Sequence, residues 1–370
     1  MEILPMNFKT LSYCGLWSEN VKFHFLKSVY KTLVVVLIFH FTIAEAIEFV
    51  KTCGSEEDST QGLFLSFTFL ALCFKILNFV LDRKEMLNLL AKFSSDICQP
   101  NSSEEWVIFK RCTQQIDRIF LTFMILSQTS GIAFLTLPFL ETGLVNVTLP
   151  FRTYQPYDVS NNALYLATYT LQLLAAFYGV LLNVTFDTMV YGFILLICAQ
   201  YEILCHRLLK IEYHCSNFSI KKCVHHHVII LDLISSTQSF FMKVVTPLFF
   251  FSLITLGASV FKIIQLNLLS IEFFTMALYL MCMMSEIFCY CSYGNELTLK
   301  SKNVIDAVYC SNWVKFDSIE RKGLRFIMHM SVRGKVISHH GQCILNLNTF
   351  VWIIKTSYSA LNVLQKGEKA

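Results

Sequence analysis

The sequence predicts an all-α membrane protein in which seven transmembrane helices form a single domain over residues 1–370. Three observations predict this fold class. First, 55% of the residues are hydrophobic and only 15% are charged, whereas soluble chains carry roughly 25% charged residues. Second, the mean hydropathy is +0.53, while 14% aromatic residues argue against a disordered chain. Third, the sequence contains seven apolar runs, each about as long as, or longer than, the roughly 20 residues that a helix needs to cross a bilayer.

The seven apolar runs follow one another without an internal repeat. They are residues 32–50, 62–81, 119–140, 163–204, 244–261, 271–290 and 345–364. The fourth run would be about 63 Å long as a helix, roughly twice the hydrocarbon thickness. We therefore expect this helix to continue into water and to leave the lipid near Asp187. Residues 227–241 have helical apolar spacing and predict a similar extension beside the fifth run.

The distribution of Lys and Arg predicts a cytoplasmic N-terminus and an extracellular C-terminus. Of 30 such residues, 23 lie before the first span or after the second, fourth and sixth spans, and 5 lie in the opposite segments. Cytoplasmic loops carry the positive excess. This orientation is the reverse of a G-protein-coupled receptor. No cleavable signal peptide is visible, so the first span is expected to direct its own insertion.

The cysteine and histidine patterns predict no metal ion, cofactor or disulfide framework. Of 14 cysteines, only Cys53 falls in an outer loop. Successive helical residues point about 100° apart, so His225, His226 and His227 cannot converge on one ion. We expect a solvated or packed helix start there. No catalytic signature occurs, so the chain is not predicted to be an enzyme. The net charge of +4 gives no support for a nucleic-acid partner.

Ionisable residues inside apolar spans are candidates for function, because charge in a bilayer is costly. Glu45 and Glu48, with Lys51 close by, predict an ion pair near the headgroups. Lys75 is expected to extend toward the membrane surface. Lys355 lies near the middle of an unusually polar seventh span and should face protein or water. That polarity favours a pore lining over a buried packing helix.

The outer halves of the second, third, fourth and sixth spans mix aromatic side chains with single hydroxyls and amides. A pocket for a small apolar molecule needs such a mixture. Ordinary helix packing uses the same residue types, so both interpretations stay open on composition alone. The candidate ligand-binding residues are Phe64, Phe67, Ser127, Ser130, Phe134, Tyr169, Gln172, Phe273, Phe274 and Tyr279. Asn146 heads an Asn-Val-Thr sequon in a predicted outer loop and is a candidate glycosylation site.

The last quarter of the chain carries an ordered set of motifs. They are Cys-Ser-Tyr-Gly-Asn-Glu-Leu at 291–297, Ala-Val-Tyr at 307–309, Leu-Asn-Thr-Phe at 347–350 and Ile-Lys-Thr-Ser-Tyr-Ser at 354–359. In this order they resemble the C-terminal signature of insect odorant receptors. His-Val-Ile-Ile-Leu at 227–231 and Asp187 also resemble that family. Ser292 departs from it, because the family usually has an aromatic residue there.

The resemblance implies an odorant receptor subunit in the plasma membrane of a sensory neuron dendrite. In that family, a small volatile organic ligand binds in a transmembrane pocket and gates a non-selective cation channel. The channel is a heterotetramer with the olfactory co-receptor. The co-receptor's large cytoplasmic insertion is absent from this chain, so the resemblance is to a ligand-tuning subunit.

The resemblance also implies a division of labour along the chain. Helix extensions at about 188–243 and 294–344 would form a cytoplasmic anchor region between subunits, and the seventh helix at 345–365 would line the pore. Carried over by spacing from Tyr358, the gate falls at Leu361, with Leu364 and Gln365 one turn outward. A ring of apolar side chains gates by excluding water.

Two alternatives stay open. A gustatory-type ligand-gated cation channel is the nearer, but the Thr-Tyr-x5-Gln-Phe pattern of that group is absent from the seventh span. A secondary transporter would be expected to show inverted repeats and spans broken by Gly or Pro. Only Pro138 and Pro247 lie in or beside spans, and the sequence shows no repeat.

Overall fold

The computed structural model describes residues 3–17, 24–52, 59–142, 149–158, 161–211, 220–311, 313–339 and 343–368. These residues fold almost entirely into α-helices. The helices are α1 (Pro5–Tyr13), α2 (His24–Thr52), α3 (Ser59–Leu81), α4 (Arg83–Phe93), α5 (Ser103–Thr142), α6 (Asn162–Leu209), α7 (Ile220–Gln265), α8 (Ile271–Cys310), α9 (Ser318–Ser331) and α10 (Leu347–Glu368). Two short strands, β1 (Ser338–His339) and β2 (Cys343–Ile344), precede α10.

The seven predicted apolar runs each fall on a separate helix, namely α2, α3, α5, α6, α7, α8 and α10. Among the described residues, α2, α5, α6, α7 and α8 are each long and apolar enough to cross a membrane. The pair α3 and α4, bent by 71°, passes the same test together. The predicted all-α, polytopic fold is therefore confirmed. The orientation of the termini stays a prediction.

Four of the helices are much longer than a bilayer requires. Helices α5, α6, α7 and α8 contain 40, 48, 46 and 40 residues. At 1.5 Å per residue they measure roughly 60–72 Å, about twice the hydrocarbon thickness. The extension predicted for the fourth and fifth runs is thus present in α6 and α7, and it occurs in α5 and α8 as well.

Helix α6 lies at the centre of the bundle and packs against α5, α7 and α8 along its length. Every residue from 184 to 201 is buried. A helix buried on all sides is expected to be apolar all round. The polar side chains that α6 carries in this stretch must therefore be satisfied by its neighbours.

A buried ionic cluster fixes the far end of α6. Arg207 donates to both carboxylate oxygens of Glu105, at 3.0 and 2.8 Å, and to two backbone carbonyls at 2.7 and 2.9 Å. His226 Nδ1 lies 3.3 Å from Arg207, and its Nε2 lies 2.8 Å from Gln200 Oε1. The histidine run thus packs into the bundle at His226. Two parallel hydrogen bonds between a guanidinium group and a carboxylate form a bidentate pair, which gives this junction a fixed geometry.

Residues 294–344 are helical at the end of α8 and in α9, and between α9 and α10 they form an antiparallel hairpin in which Ser338 pairs with Ile344. Gly334, with φ of +63°, lets the chain reverse after α9. Helix α10 starts at Leu347, two residues later than predicted. Asn346 accounts for this start, because its Oδ1 accepts from Thr349 N at 2.8 Å and caps the helix.

Candidate functional site

A cavity of about 110 Å³ lies among α3, α5, α6 and α8, in a mostly apolar wall. An apolar protein cavity of about 150 Å³ holds one benzene ring. A cavity of this order therefore suits an organic molecule of few heavy atoms. Apolar walls with a few placed polar groups are typical of small-molecule sites.

Helical spacing brings the lining side chains of α3 and α8 onto one face of each helix. On α3, Thr68 and Leu72 line the cavity at positions i and i+4. On α8, Tyr279, Met283 and Glu286 do so at positions i, i+4 and i+7. The two faces meet where the hydroxyl groups of Tyr279 and Thr68 lie 2.8 Å apart.

The ring of Tyr279 is also fixed by α5. Phe134 meets it edge-on, with 6.0 Å between ring centroids. Ser127 and Ser130 lie on the same face of α5 and line the cavity beside Phe134. Edge-to-face contacts of this kind stabilise by about 0.5–1.5 kcal/mol beyond burial. Tyr279 is therefore held by both an aromatic and a hydroxyl partner.

A close approach between α3 and α6 shapes the wall at Gly179. A Cβ atom added there would lie 2.7 Å from the ring of Phe69. The missing side chain thus lets the Phe69 ring lie directly on the α6 backbone. Phe69 and Gly179 both line the cavity.

The segment 149–158 covers one end of the cavity through Phe151, which is buried and lines it. Gln172 holds the backbone of this residue: Nε2 donates to Phe151 O at 2.9 Å, and Oε1 accepts from Phe151 N at 3.3 Å. The Phe151 ring meets Phe41 of α2 edge-on at 5.5 Å. Gln172 therefore positions the covering segment.

The opposite end of the cavity is polar, and Asn183, Asp187 and Glu286 line it. We call these three residues the polar floor. Lys75 lies behind them, with Nζ 2.8 Å from Asn183 Oδ1 and 2.6 Å from Asp187 Oδ1. The same nitrogen is 3.4 Å from Glu286 Oε1. The Tyr290 hydroxyl donates to Asp187 Oδ1 at 2.7 Å.

This cluster corrects one expectation. Lys75 does not extend to the membrane surface, because α6 and α8 place three acceptors within its reach and it is only 5% exposed. Asp187 is buried as well, and the point where α6 leaves the lipid stays a prediction. Asp187 is 2% exposed, and α6 continues beyond it to Leu209. A buried charge is stabilised by pairing inside the bundle.

The ion pair expected near the outer end of α2 is also different. Lys51 lies over the ring of Tyr154, 3.6 Å from its centroid. Glu45 is 3% exposed and buried against the bundle. The contacts described for these side chains do not pair them, because the segment 149–158 supplies an aromatic partner for the lysine instead.

The structure brings together four of the ten predicted ligand-binding residues. Ser127, Ser130, Phe134 and Tyr279 line the cavity. Gln172 lies behind the covering segment, and Phe67 stacks on Phe251 beside a smaller cavity. Their role in binding stays a prediction.

Three more predicted residues lie outside the described cavity wall. Tyr169 stacks on Tyr165 with 6.3 Å between centroids. Phe273 and Phe274 contact one another near the start of α8. The side chains of Phe64, Leu361, Leu364 and Gln365, and the whole of Asn146, lie outside the residues that the structure describes.

The contact between Lys75 and the polar floor was missed, although its signal is present in the sequence. Asp187 and Glu286 are acidic residues inside apolar runs, and Lys75 is a basic residue inside another. Each lies on the same helical face as lining residues one or two turns away. Ionisable residues in three separate spans predict a buried cluster if they are considered together.

Comparison with known proteins gives one family. The family model described as "7tm Odorant receptor" matches residues 57–358. Odorant receptor 46a, isoform A, of Drosophila melanogaster is 21% identical over 345 residues, which cover 91% of this chain and 90% of that relative. Odorant receptor Or1 of Anopheles gambiae is 23% identical, and the match covers 97% of this chain and 94% of that receptor.

Two solved structures share the fold. The insect olfactory receptor OR5 from Machilis hrabei, in complex with eugenol, superposes with a TM-score of 0.87 at 17% identity, covering 98% of this chain and 97% of that chain. A second structure of the same receptor gives a TM-score of 0.86 at 18% identity, with coverage of 97% and 96%. At these identities the likeness concerns the fold.

Proposed function

Because the chain belongs to the insect odorant receptor family, a family of receptors rather than enzymes, we propose that it is the ligand-tuning subunit of an odorant-gated, non-selective cation channel. The observation that carries this proposal is the apolar cavity among α3, α5, α6 and α8. A small volatile organic molecule gains dispersion contact there and meets polar groups at one end only. The gustatory-type channel and the transporter find no specific support in this arrangement.

Gating is a population shift between closed and open states. An odorant opens the pore only by the difference between its affinities for these states. Helix α8 would couple ligand binding to the pore, because it contacts both the cavity and α10. Tyr279 on α8 lines the cavity, and Phe288, nine residues later, meets Phe350 of α10 edge-on at 5.4 Å.

Helix α10 has the surface expected of a pore helix. One side packs on the bundle, where Ser357 Oγ lies 3.5 Å from Leu253 O and Ile353 is buried. The other side exposes Val351, Trp352, Lys355 and Tyr358 in the single chain. Four subunits that turn this side inward would enclose a central path. The apolar gate would then be at Leu361, with Leu364 and Gln365 outward of it.

The assembly that we propose is a heterotetramer with the olfactory co-receptor in the plasma membrane of a sensory dendrite. The long ends of α6, α7 and α8 with α9, at about 188–243 and 294–344, would form the anchor region between subunits. Support comes from the exposed aromatic surface there: Tyr309 and Trp313 lie beside α9. Aromatic residues are enriched at protein interfaces.

The proposal is tested by whole-cell current in cells that express this chain alone or with an insect olfactory co-receptor. A chemically broad odorant panel should evoke current only in the paired cells, with a reversal potential near zero. Phe134→Ala and Tyr279→Ala should change ligand potency and leave basal current near the wild-type level. Leu361→Ala should raise the basal leak, because it removes apolar volume at the gate.

Two results would contradict this assignment. Unaltered ligand potency in both cavity variants would contradict the placement of the ligand site in this cavity. Surface expression without current in paired cells, across the whole panel, would contradict the channel function itself.

A further inference from the structure

The polar floor restricts the chemistry of the ligand, and this inference rests on the function proposed above. Its first feature is a hydrogen-bond donor at Asn183. A lysine ammonium carries donors only. The Asn183 atom that lies 2.8 Å from Lys75 Nζ is therefore the carbonyl oxygen. The amide nitrogen of Asn183, a residue that lines the cavity, remains as a donor.

The second feature is a surplus of acceptors. Asp187 and Glu286 share a single ammonium, so the two carboxyl groups have one negative charge more than Lys75 compensates, or they hold one proton between them. Lys75 and Tyr290 both donate to Oδ1 of Asp187. Lys75 Nζ lies 3.4 Å from Glu286 Oε1, and the carboxyl groups of Glu286 and Asp187 also contact one another. Among the side chains of the described residues, Lys75 supplies the one ammonium, amide or hydroxyl donor to Glu286.

The donor and the acceptors lie close together. Asn183 Oδ1 and Glu286 Oε1 are both within 3.4 Å of the same lysine nitrogen. Both residues line the same end of the same cavity. The side chains of Asn183 and Glu286 are therefore neighbours at this end of the cavity.

A hydroxyl group is the complement of this pair, because it accepts one hydrogen bond and donates another. An ether or a ketone only accepts, and an ammonium only donates. The rest of the cavity is apolar and has room for a short carbon skeleton. We propose that the cavity binds a small apolar alcohol, whose hydroxyl accepts from Asn183 Nδ2 and donates to the carboxyl group of Glu286.

The energetic reason for selectivity is the polar floor itself. A buried acceptor that loses its donor keeps the full cost of desolvation. A site built for a hydroxyl therefore discriminates strongly against an analogue that lacks it. We expect an alcohol to be at least about tenfold more potent than its methyl ether on the same skeleton, which corresponds to about 1.4 kcal/mol.

The experiment uses matched ligands on one carbon skeleton: the alcohol, the methyl ether, the ketone and the primary amine. Dose–response currents are recorded from this chain paired with the co-receptor. The expected result is that the alcohol is most potent. Equal or higher potency of the ether, the ketone or the amine would overturn the inference, while the channel function would stand.

Variants without a side-chain acceptor locate the contact. Glu286→Met removes both carboxyl oxygens and should bring the alcohol-to-ether potency ratio close to one. The matched control, Glu296→Met on the same helix and outside the cavity, should keep the wild-type ratio. A collapse of the ratio in Ser127→Ala, with no change in Glu286→Met, would place the hydroxyl at the α5 wall and overturn the assignment.

A second readout separates binding from gating. A ligand that binds the folded receptor raises its unfolding midpoint. The alcohol should raise the midpoint of the purified receptor more than the ether does. That selectivity in a receptor without current would support the ligand class and contradict the channel function. Absence of any shift, for all four ligands, would contradict both.

Discussion

Lys75 supplies the cation that stabilises the buried acidic side chains in the inner part of the bundle. Its ammonium joins α3 to acidic side chains of α6 and α8, and it is almost completely buried. Two carboxyl groups depend on this one cation. Breaking a buried ion pair from one side leaves an uncompensated charge and costs about 3–5 kcal/mol. Replacing both partners costs much less.

Lys75→Met should therefore lower the free energy of unfolding by about 3–5 kcal/mol, because Asp187 and Glu286 lose their cation. Adding Asp187→Asn should recover most of that loss. Thermal unfolding of the purified receptor measures both. The matched control is Lys243→Met, whose pair with Asp82 is 44% and 32% exposed; it should cost at most about 1 kcal/mol. Equal losses in Lys75→Met and Lys243→Met would contradict the structural role.

At the scale of the elements, α8 connects the cavity to the start of α10. One end carries Tyr279 and Glu286, and the following part carries Gly294. A Cβ atom added at Gly294 would lie 2.3 Å from the carbonyl oxygen of Leu345. The obstacle is backbone, so a side chain there must displace the segment that leads into α10. Helix α8 and this segment are therefore in direct backbone contact.

Gly294→Ala should lower stability by about 1–3 kcal/mol, because the added methyl group overpacks this contact. Gly257→Ala is the matched control in α7, where an added Cβ meets nothing within 4 Å. Alanine has a higher helix propensity than glycine, so this control should be neutral or stabilise by up to about 1 kcal/mol. Unfolding midpoints and surface expression measure the two variants. A neutral Gly294→Ala would show that the segment at Leu345 can move to accommodate the methyl group.

The elements themselves were largely predictable, whereas their ends were not. Runs of apolar residues located all seven long helices, since burial of backbone polar groups in lipid leaves helices as the available structure. The hairpin between α9 and α10 was missed because two-residue strands have too few residues for a period. The start of α10 depended on the Asn346 side chain, a local capping effect that apolar runs do not reveal.

The candidate site was predictable only in part, for a physical reason. The helix face of α5 gave Ser127, Ser130 and Phe134 correctly as neighbours, because a single helix fixes their spacing. The contact of Lys75 with the polar floor requires α3, α6 and α8 to come together, and no local pattern encodes it. Phe273 and Phe274 are aromatic, as the pocket requires, but they lie too near the start of α8 to line the cavity.

At the scale of the whole molecule, the distribution of charge predicts the orientation. The Lys and Arg excess predicts that the long ends of α6, α7 and α8 are cytoplasmic. The segment 149–158, and with it the covered end of the cavity, would then be on the outer side. An odorant that arrives from outside would reach the cavity from this end.

Epitope tags at the two termini test this orientation. An N-terminal tag should be labelled only after the cells are permeabilised, and a C-terminal tag should be labelled on intact cells. A glycosidase-sensitive mobility shift that is lost in Asn146→Gln would agree, because that sequon is predicted to be outside. Labelling of the N-terminal tag on intact cells would contradict the charge argument.

The attachment of the segment 149–158 has a consequence for evolution. Gln172 bonds to the backbone N–H and C=O of residue 151, and these groups are the same for every amino acid except proline. The side chain at this position can therefore change by mutation while the hydrogen bonds that hold the segment persist. Larger or smaller residues there would reshape the cavity while the segment stays attached. A lineage could in this way acquire new ligands by single substitutions at one position.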